Sequence, residues 1–295
     1  MKALVTGGTG LVGRYIVEDL LAAGCEVAVA GRREPAKGLF SGPVGFREFT
    51  LDAGDHPDAL FEGATSLVHA AFGHVPGRYR GGEGDDPAAF RRRNLEGTVR
   101  LFEAAKRAGV RRAVFLSSRA VYDGMSPGTA LAEDAELAPS SLYGAVKLGC
   151  EQALAALDGP GFTTASLRLT GVYGDLRPNK WDGLIADYLA GRSVPVRAGS
   201  EVHGRDVGRA VQLMLEADAA RVGGGSFNIS DLVVDTRDIL SAVRQANGSP
   251  HPLPGRGDTD AVAEMECGRI RALGWKPGGR ALFEATLAGL ANPLS

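Results

Sequence analysis

The chain has 295 residues, 44% of them hydrophobic, enough for one large domain or a large and a small one with a full core. Its formal net charge of -2, with Lys and Arg spread along the chain, offers no basic field that counterion release at a nucleic-acid backbone would reward, so nucleic acid is not an expected partner. Cys25, Cys150 and Cys267 lack paired spacing, which excludes a disulfide framework and suits a reducing, cytoplasmic compartment, and no apolar run approaches the roughly 20 residues of a bilayer span.

In chain order, Lys2 to Val5 reads as a short apolar strand, followed by a glycine loop and a helix marked by Leu11, Tyr15, Ile16, Leu20 and Leu21. Further strands are expected at Val27 to Ala30, Phe46 to Leu51 and Ser66 to Ala71, the last apolar enough to be buried on both faces. The polar, glycine-rich stretch Pro76 to Asp86 reads as a mobile surface loop before a long helix from about Pro87 to Gly109. A strand at Arg112 to Leu116, a helix capped by Ser140 or Ser141 and running to about Leu157, and a strand at Thr163 to Leu169 continue the alternation. Repeated βαβ units predict an α/β fold, a Rossmann-type doubly wound parallel sheet with right-handed crossovers. Beyond Gly171 the rhythm breaks, with helices expected near 183–190, 206–217, 236–247 and 281–290. The division that follows is a dinucleotide-binding domain at 1–170 plus about 200–232, with 171–199 and 233–295 forming a smaller substrate-binding lobe.

Thr6-Gly7-Gly8-Thr9-Gly10-Leu11-Val12-Gly13 stands directly after a strand and directly before a helix. Glycines there permit close backbone approach, and the helix presents its N-H groups and positive dipole end to a pyrophosphate, so Gly7, Thr9, Gly10, Leu11, Val12 and Gly13 are candidate cofactor contacts. Just past the second strand, an NAD site would carry an acidic side chain for the ribose hydroxyls; here the residues are Gly31, Arg32 and Arg33. Two guanidiniums without a carboxylate suit a 2'-phosphate, so NADP is the expected cofactor, with NAD as the alternative.

Tyr143 and Lys147 lie four apart on a predicted helix, on the same face one turn apart. An unperturbed phenol is a poor base at neutral pH, but a neighbouring ammonium favours its ionised form, so this pair is suited to moving a proton. The five histidines, His56, His69, His74, His203 and His251, show no ligand spacing, and no metal is expected.

The triple glycine in its G-x-x-G-x-x-G spacing, the Tyr143/Lys147 pair, and the stretches Leu167 to Gly174, His203 to Val207, Phe227 to Asp231 and Leu273 to Pro277 resemble the extended short-chain dehydrogenase/reductase superfamily, in its NAD-dependent epimerase/dehydratase branch. The resemblance covers essentially the whole chain. It implies that Ser118, four residues before Tyr122, holds the substrate oxygen, completing a Ser118, Tyr143, Lys147 catalytic set, with Lys147 also holding the nicotinamide ribose. It places Leu51 and Asp52 at the adenine, Ala70, Ala71 and Phe72 along the cofactor, a structural Asn94 on the long helix, and Thr170, Gly171 and Val172 near the nicotinamide end. Pairing of the helices near Pro87 and Ser140 with their copies would give a homodimer.

Dehydratases of this family carry an acidic pair after the catalytic hydroxyl, where this chain has Arg119 and Ala120, and its nucleotide-sugar epimerases carry an Asn where this chain has Gly171. The expected activity is therefore an NAD(P)-dependent oxidoreduction at a carbonyl or secondary alcohol of a small or sugar-like substrate. A sugar epimerase with tightly bound NAD is the runner-up, and a non-catalytic dinucleotide sensor ranks last. His74, Arg119, Asn179, Lys180 and Trp181 are candidate substrate contacts.

Overall fold

The computed structural model describes residues 1–52, 54, 58–75, 82–126 and 128–291; His56 and residues 76–81 of the expected surface loop lie outside the described residues. The strands are Lys2–Thr6 (β1), Glu26–Gly31 (β2), Gly45–Glu48 (β3), Ser66–His69 (β4), Arg112–Ser118 (β5), Thr163–Leu169 (β6), Gly171–Tyr173 (β7), Ala198–His203 (β8), Gly225–Ile229 (β9) and Leu232–Asp235 (β10). The helices are Leu11–Ala22 (α1), Pro87–Arg91 (α2), Gly97–Arg107 (α3), Leu142–Ala156 (α4), Asp182–Leu189 (α5), Gly204–Glu216 (α6), Ala219–Val222 (α7), Thr236–Asn247 (α8), Gly268–Ala272 (α9) and Gly279–Ala291 (α10).

Seven strands pair in parallel in the order β3-β2-β1-β4-β5-β6-β9. The central ones are apolar on both faces because helices cover both: Ile16, Leu20, Val207 and Val211 of α1 and α6 pack with Val5 and Leu167, while Leu101, Phe102, Val146 and Leu154 of α3 and α4 pack with Leu4, Leu67 and Phe115. The fold is a Rossmann-type doubly wound sheet. Strand order reverses between β1 and β4, and such a reversal leaves a crevice at the carboxyl ends of the strands, where ligands bind in open α/β sheets.

The sequence pattern reads the segment beyond Gly171 as helices with irregular connections, but β10, β8 and β7 form a second, three-stranded sheet. Its strands, such as Ala-Gly-Ser-Glu-Val-His at 198–203, are short and half polar, so periodicity gives no strand signal there. Tyr173, Trp181, Tyr188, Leu240, Phe283 and Leu287 form a separate core beneath it. Two further departures concern the first half. The third strand ends at Glu48, with Phe49 and Leu51 buried beyond its end, and the long helix is interrupted by a π-helical turn at Arg92–Glu96 that turns Asn94 fully inward.

One charged cluster lies inside the sheet. Glu151 of α4 and Arg168 of β6, both about 5% exposed or less, form an ion pair at 2.8 Å, and Glu151 also accepts from Ser117 and, at 3.0 Å, from Ser226. Arg168 continues to the Tyr122 hydroxyl at 2.8 Å, and that hydroxyl reaches Asn228 at 2.8 Å. Every polar atom in this chain of contacts has a partner, which is the condition under which buried charge is tolerated. Removing one member should strand the other: Arg168→Met is expected to cost about 3–5 kcal/mol in equilibrium urea unfolding, and Glu151→Gln/Arg168→Met less than Arg168→Met alone.

Candidate active site

The glycine loop is packed too closely for any other residue at two of its positions. A Cβ on Gly7, whose φ is +69°, would lie 2.7 Å from Ala71 N, and one on Gly13 would collide with the Gly7 carbonyl. Gly10 caps α1 with extended backbone and offers no side chain to the first-turn amides, so the helix dipole and the amides of Leu11 and Val12 open onto the crevice. The loop is held by the core: Thr6 Oγ1 bonds His69 Nδ1 at 2.6 Å, and His69 Nε2 bonds Thr98 Oγ1 at 3.0 Å. That buried chain ties β1, β4 and α3 together at the crevice floor.

Beside the loop, Ala70 N donates to Thr6 O and Ala71 N to Thr6 Oγ1, so the end of β4 runs along the glycines. Asn94 accepts from Gly73 N at 2.7 Å and donates to the carbonyls of Gly73 and Phe90 at 2.8 and 3.1 Å. Its amide therefore fixes the 72–74 wall. Asp52 forms an ion pair with Arg93 at 2.7 Å, and Leu51 is buried in the core. Arg32 and Arg33 are exposed at the carboxyl end of β2, and among the described residues neither has an ion-pair partner. This arrangement fits a dinucleotide: an uncapped helix start for the pyrophosphate and two uncommitted guanidiniums where the ribose of the adenosine half would end.

Ser118 ends β5, next to Leu169 of β6 in register, and its Oγ accepts from Ala120 N at 3.2 Å, capping the single 3-10 turn Arg119–Tyr122. Accepting that bond leaves the hydroxyl hydrogen for a substrate oxygen. Ser141 caps α4 by accepting from Gly144 N at 3.0 Å, which places Tyr143 in the first turn and Lys147 one turn later. Lys147 is 5% exposed; its ammonium donates to Leu116 O at 2.7 Å and lies 4.2 Å from the ring centre of Phe72 and 4.8 Å from that of Phe115. Phe72 also meets the Tyr143 ring edge to face at 5.2 Å. A carbonyl and two π faces stabilise the cation without a paired carboxylate. Burial nevertheless pushes the Lys147 pKa down to about 8, against the raising influence of Cys150 and Glu151.

The sequence-expected substrate residues separate into two groups. Trp181 stacks on Tyr173 at 5.1 Å and is 5% exposed, and Asn179 donates to Gly174 O and accepts from Trp181 N at 2.9 Å. Both are engaged within the smaller lobe, because the loop that carries them needs their side chains to close on itself. Lys180, between them, is turned to Glu201 and bonds both of its carboxylate oxygens above Gly171. Arg119 donates to Ala263 O at 3.0 Å, joining the Ser118 turn to the chain before α9, and His74 Nδ1 lies 3.2 Å from Phe72 O. Thr170 N donates to Ile229 O at 3.2 Å, and Val172 is buried in the core. Sequence reasoning missed Glu201, which is far from Gly171 in the chain and meets it only through β7–β8 pairing. It also missed Arg14 and Tyr15 of α1, which clasp the loop at Arg177 and Pro178 carbonyls and at Leu176 N.

Against known proteins, the NAD dependent epimerase/dehydratase family matches residues 3–230. The chain belongs to that family. It is an enzyme of the extended short-chain dehydrogenase/reductase type. It is 30% identical to a UDP-glucose 4-epimerase of Mycolicibacterium smegmatis, over 94% of each chain. A ketoreductase of Stigmatella aurantiaca that acts on a farnesylated dihydroquinoline oxide is 32% identical over 59% of this chain and 51% of its own. Among solved structures, the UDP-glucose 4-epimerase of Thermus thermophilus in complex with NAD superposes with a TM-score of 0.77 at 27% identity, covering all of both chains. Family membership accounts for the sheet order and for the tight glycine loop together.

The position of Lys147 carries a measurable linkage. Its folded-state pKa of about 8 lies below the ordinary 10.5, so the unfolded chain binds more protons between those values and stability rises with pH through that window. Below pH 8 the buried charge costs on the order of 3 kcal/mol. Lys147→Met, close in volume and uncharged, is expected to raise unfolding stability at pH 7 by up to that amount, with the gain vanishing by about pH 10.5 in a series of chemical denaturations.

Proposed function

We propose that the chain catalyses hydride transfer at a secondary alcohol or carbonyl of a small or sugar-like molecule, with Tyr143 as the group that gives and takes the proton. The observation that carries this reading is the buried Lys147 ammonium, bonded to β5 two residues before Ser118 and one turn from Tyr143. Ser118 donates to the substrate oxygen and fixes it. Tyr143 exchanges the proton at that oxygen, and Lys147 favours the ionised phenol. The nicotinamide supplies or accepts the hydride.

Gly7, Thr9, Gly10, Leu11, Val12 and Gly13 would hold the pyrophosphate at the start of α1, Ala70 to Phe72 and Thr170 to Val172 would border the nicotinamide half, and Lys147 would bond its ribose. Asp52 would lie at the adenine, and Asn94 would keep the 72–74 wall in place. Arg32 and Arg33 favour NADP over NAD through the 2'-phosphate. Residues 1–170 with about 200–232 form the cofactor-binding unit, 171–199 with 233–295 the substrate lobe, and the enzyme works as a cytoplasmic homodimer.

A second reading, sugar-nucleotide epimerisation with retained NAD, is favoured by the Mycolicibacterium relative and by the Thermus structure, whose names state that activity. One panel separates the two. Purified protein is mixed with NADP(H) or NAD(H) and with sugars, uronates, aldehydes and UDP-glucose. Net oxidoreduction changes the nicotinamide absorbance, whereas epimerisation produces a new UDP-hexose by chromatography with no net absorbance change. Tyr143→Phe is expected to lower either activity by at least about 100-fold. In calorimetry, Arg32→Ala/Arg33→Ala is expected to weaken NADP binding about 10- to 100-fold while leaving NAD binding within about twofold. Equal loss for both cofactors would reject the 2'-phosphate assignment.

A further inference from the structure

Gly171 sits two residues beyond Leu169, the register partner of Ser118, and its backbone is not in the left-handed region. Its glycine identity has a different cause. A Cβ there would lie 2.5 Å from both carboxylate oxygens of Glu201 and 2.5 Å from Lys180 Nζ, so a side chain at 171 and this ion pair cannot coexist. Glu201 belongs to β8, the middle strand of the small sheet, and its side chain is 6% exposed; that of Lys180 is 23% exposed. The pair is therefore rooted in the lobe and reaches solvent through the lysine.

Lys180 is also held in place from its backbone. Asn179 fixes Gly174 O on one side, and Trp181 is stacked on Tyr173 on the other. The same loop is fastened to α1, the helix that starts at the glycine loop, by Arg14 and Tyr15. An ammonium so constrained does not leave its carboxylate readily, because Glu201 would be stranded in the interior without a partner. The other cations near this lobe are committed as well. Arg177 pairs with Asp182, Arg205 with Asp175, and Arg119 bonds Ala263 O. Arg197 is exposed near Gly199 and close enough to depress the Lys180 pKa, after burial itself.

We propose that the Lys180–Glu201 pair is a specificity-determining element: it fills the space over Gly171 with a couple of no net charge, which donates to and accepts from the hydroxyls of an uncharged sugar-like group and withholds Lys180 from a diphosphate. This deepens the reading of a sugar-like substrate and rests on it. Selectivity of this kind comes from discouraging the wrong ligand as well as from contacts to the right one.

Calorimetric titration with uridine diphosphate tests the pair without any turnover, so a failure of the assigned reaction and a failure of this assignment give separate results. Wild type and Lys180→Met should bind the probe within about twofold of each other. Glu201→Gln, which releases the ammonium, should bind it at least about tenfold more tightly, and Lys180→Met/Glu201→Gln should return to the wild-type value. The double variant removes both charges together and serves where a single one fails to fold. A loss of affinity of about tenfold in Lys180→Met or in the double variant would show that the lysine already grips phosphate and would overturn the proposal, as would a Glu201→Gln protein that folds and gains nothing.

Discussion

An ammonium buried at the carboxyl edge of a parallel sheet is the constraint around which this molecule is arranged. Lys147 reaches that edge only because α4 starts at a fixed point, set by the Ser141 cap, and because β5 exposes the Leu116 carbonyl to it. The charge cannot be shed into water, so the surroundings must stabilise it. They do so with one carbonyl and the faces of Phe72 and Phe115. A carboxylate pressed against the lysine would hold it more firmly, but would also cancel the positive potential that a neighbouring phenol needs. The nearest such group, Glu151, is occupied by Arg168, Ser117 and Ser226.

The same logic recurs at the other edge of the crevice with the opposite outcome. Lys180 is paired directly with Glu201, and its charge is neutralised locally. Two lysines on the rim of one cleft thus meet different fates: one is kept cationic to tune a proton, the other is matched to a carboxylate over a glycine. What separates them is the secondary structure that each faces, a strand terminus offering carbonyls in the first case and a strand interior offering a glutamate side chain in the second. The loop bearing Lys180 is clasped by α1, so the element that begins the cofactor loop also positions the substrate lobe.

Much of the first 170 residues is legible from the chain alone. Apolar runs of four or five residues, glycines at turns and the Leu and Phe stripes of the helices report burial on two faces, and burial on two faces means a parallel sheet covered by helices. Departures occur where a side chain does something other than pack. The π turn at Arg92–Glu96 is invisible to periodicity, because Asn94 is drawn inward by the backbone of Gly73, a residue on another element. Asn179 and Trp181 look like polar-loop residues available to a ligand, yet the aromatic core of Tyr173 and Phe283 takes the indole and the Gly174 carbonyl takes the amide.

Sequence by itself determined the doubly wound class, the glycine loop and the spacing of Tyr143 and Lys147, since each depends on residues close together in the chain, and local geometry follows from local order. Only the tertiary structure decided that β7, β8 and β10 form a second sheet, that Phe72 covers the catalytic lysine, and that Glu201 meets Lys180 over Gly171. Those contacts join residues on separate elements, 21 positions apart for Lys180 and Glu201 and much farther for Phe72 and Lys147. No periodicity along a chain encodes which distant side chains will share a buried space.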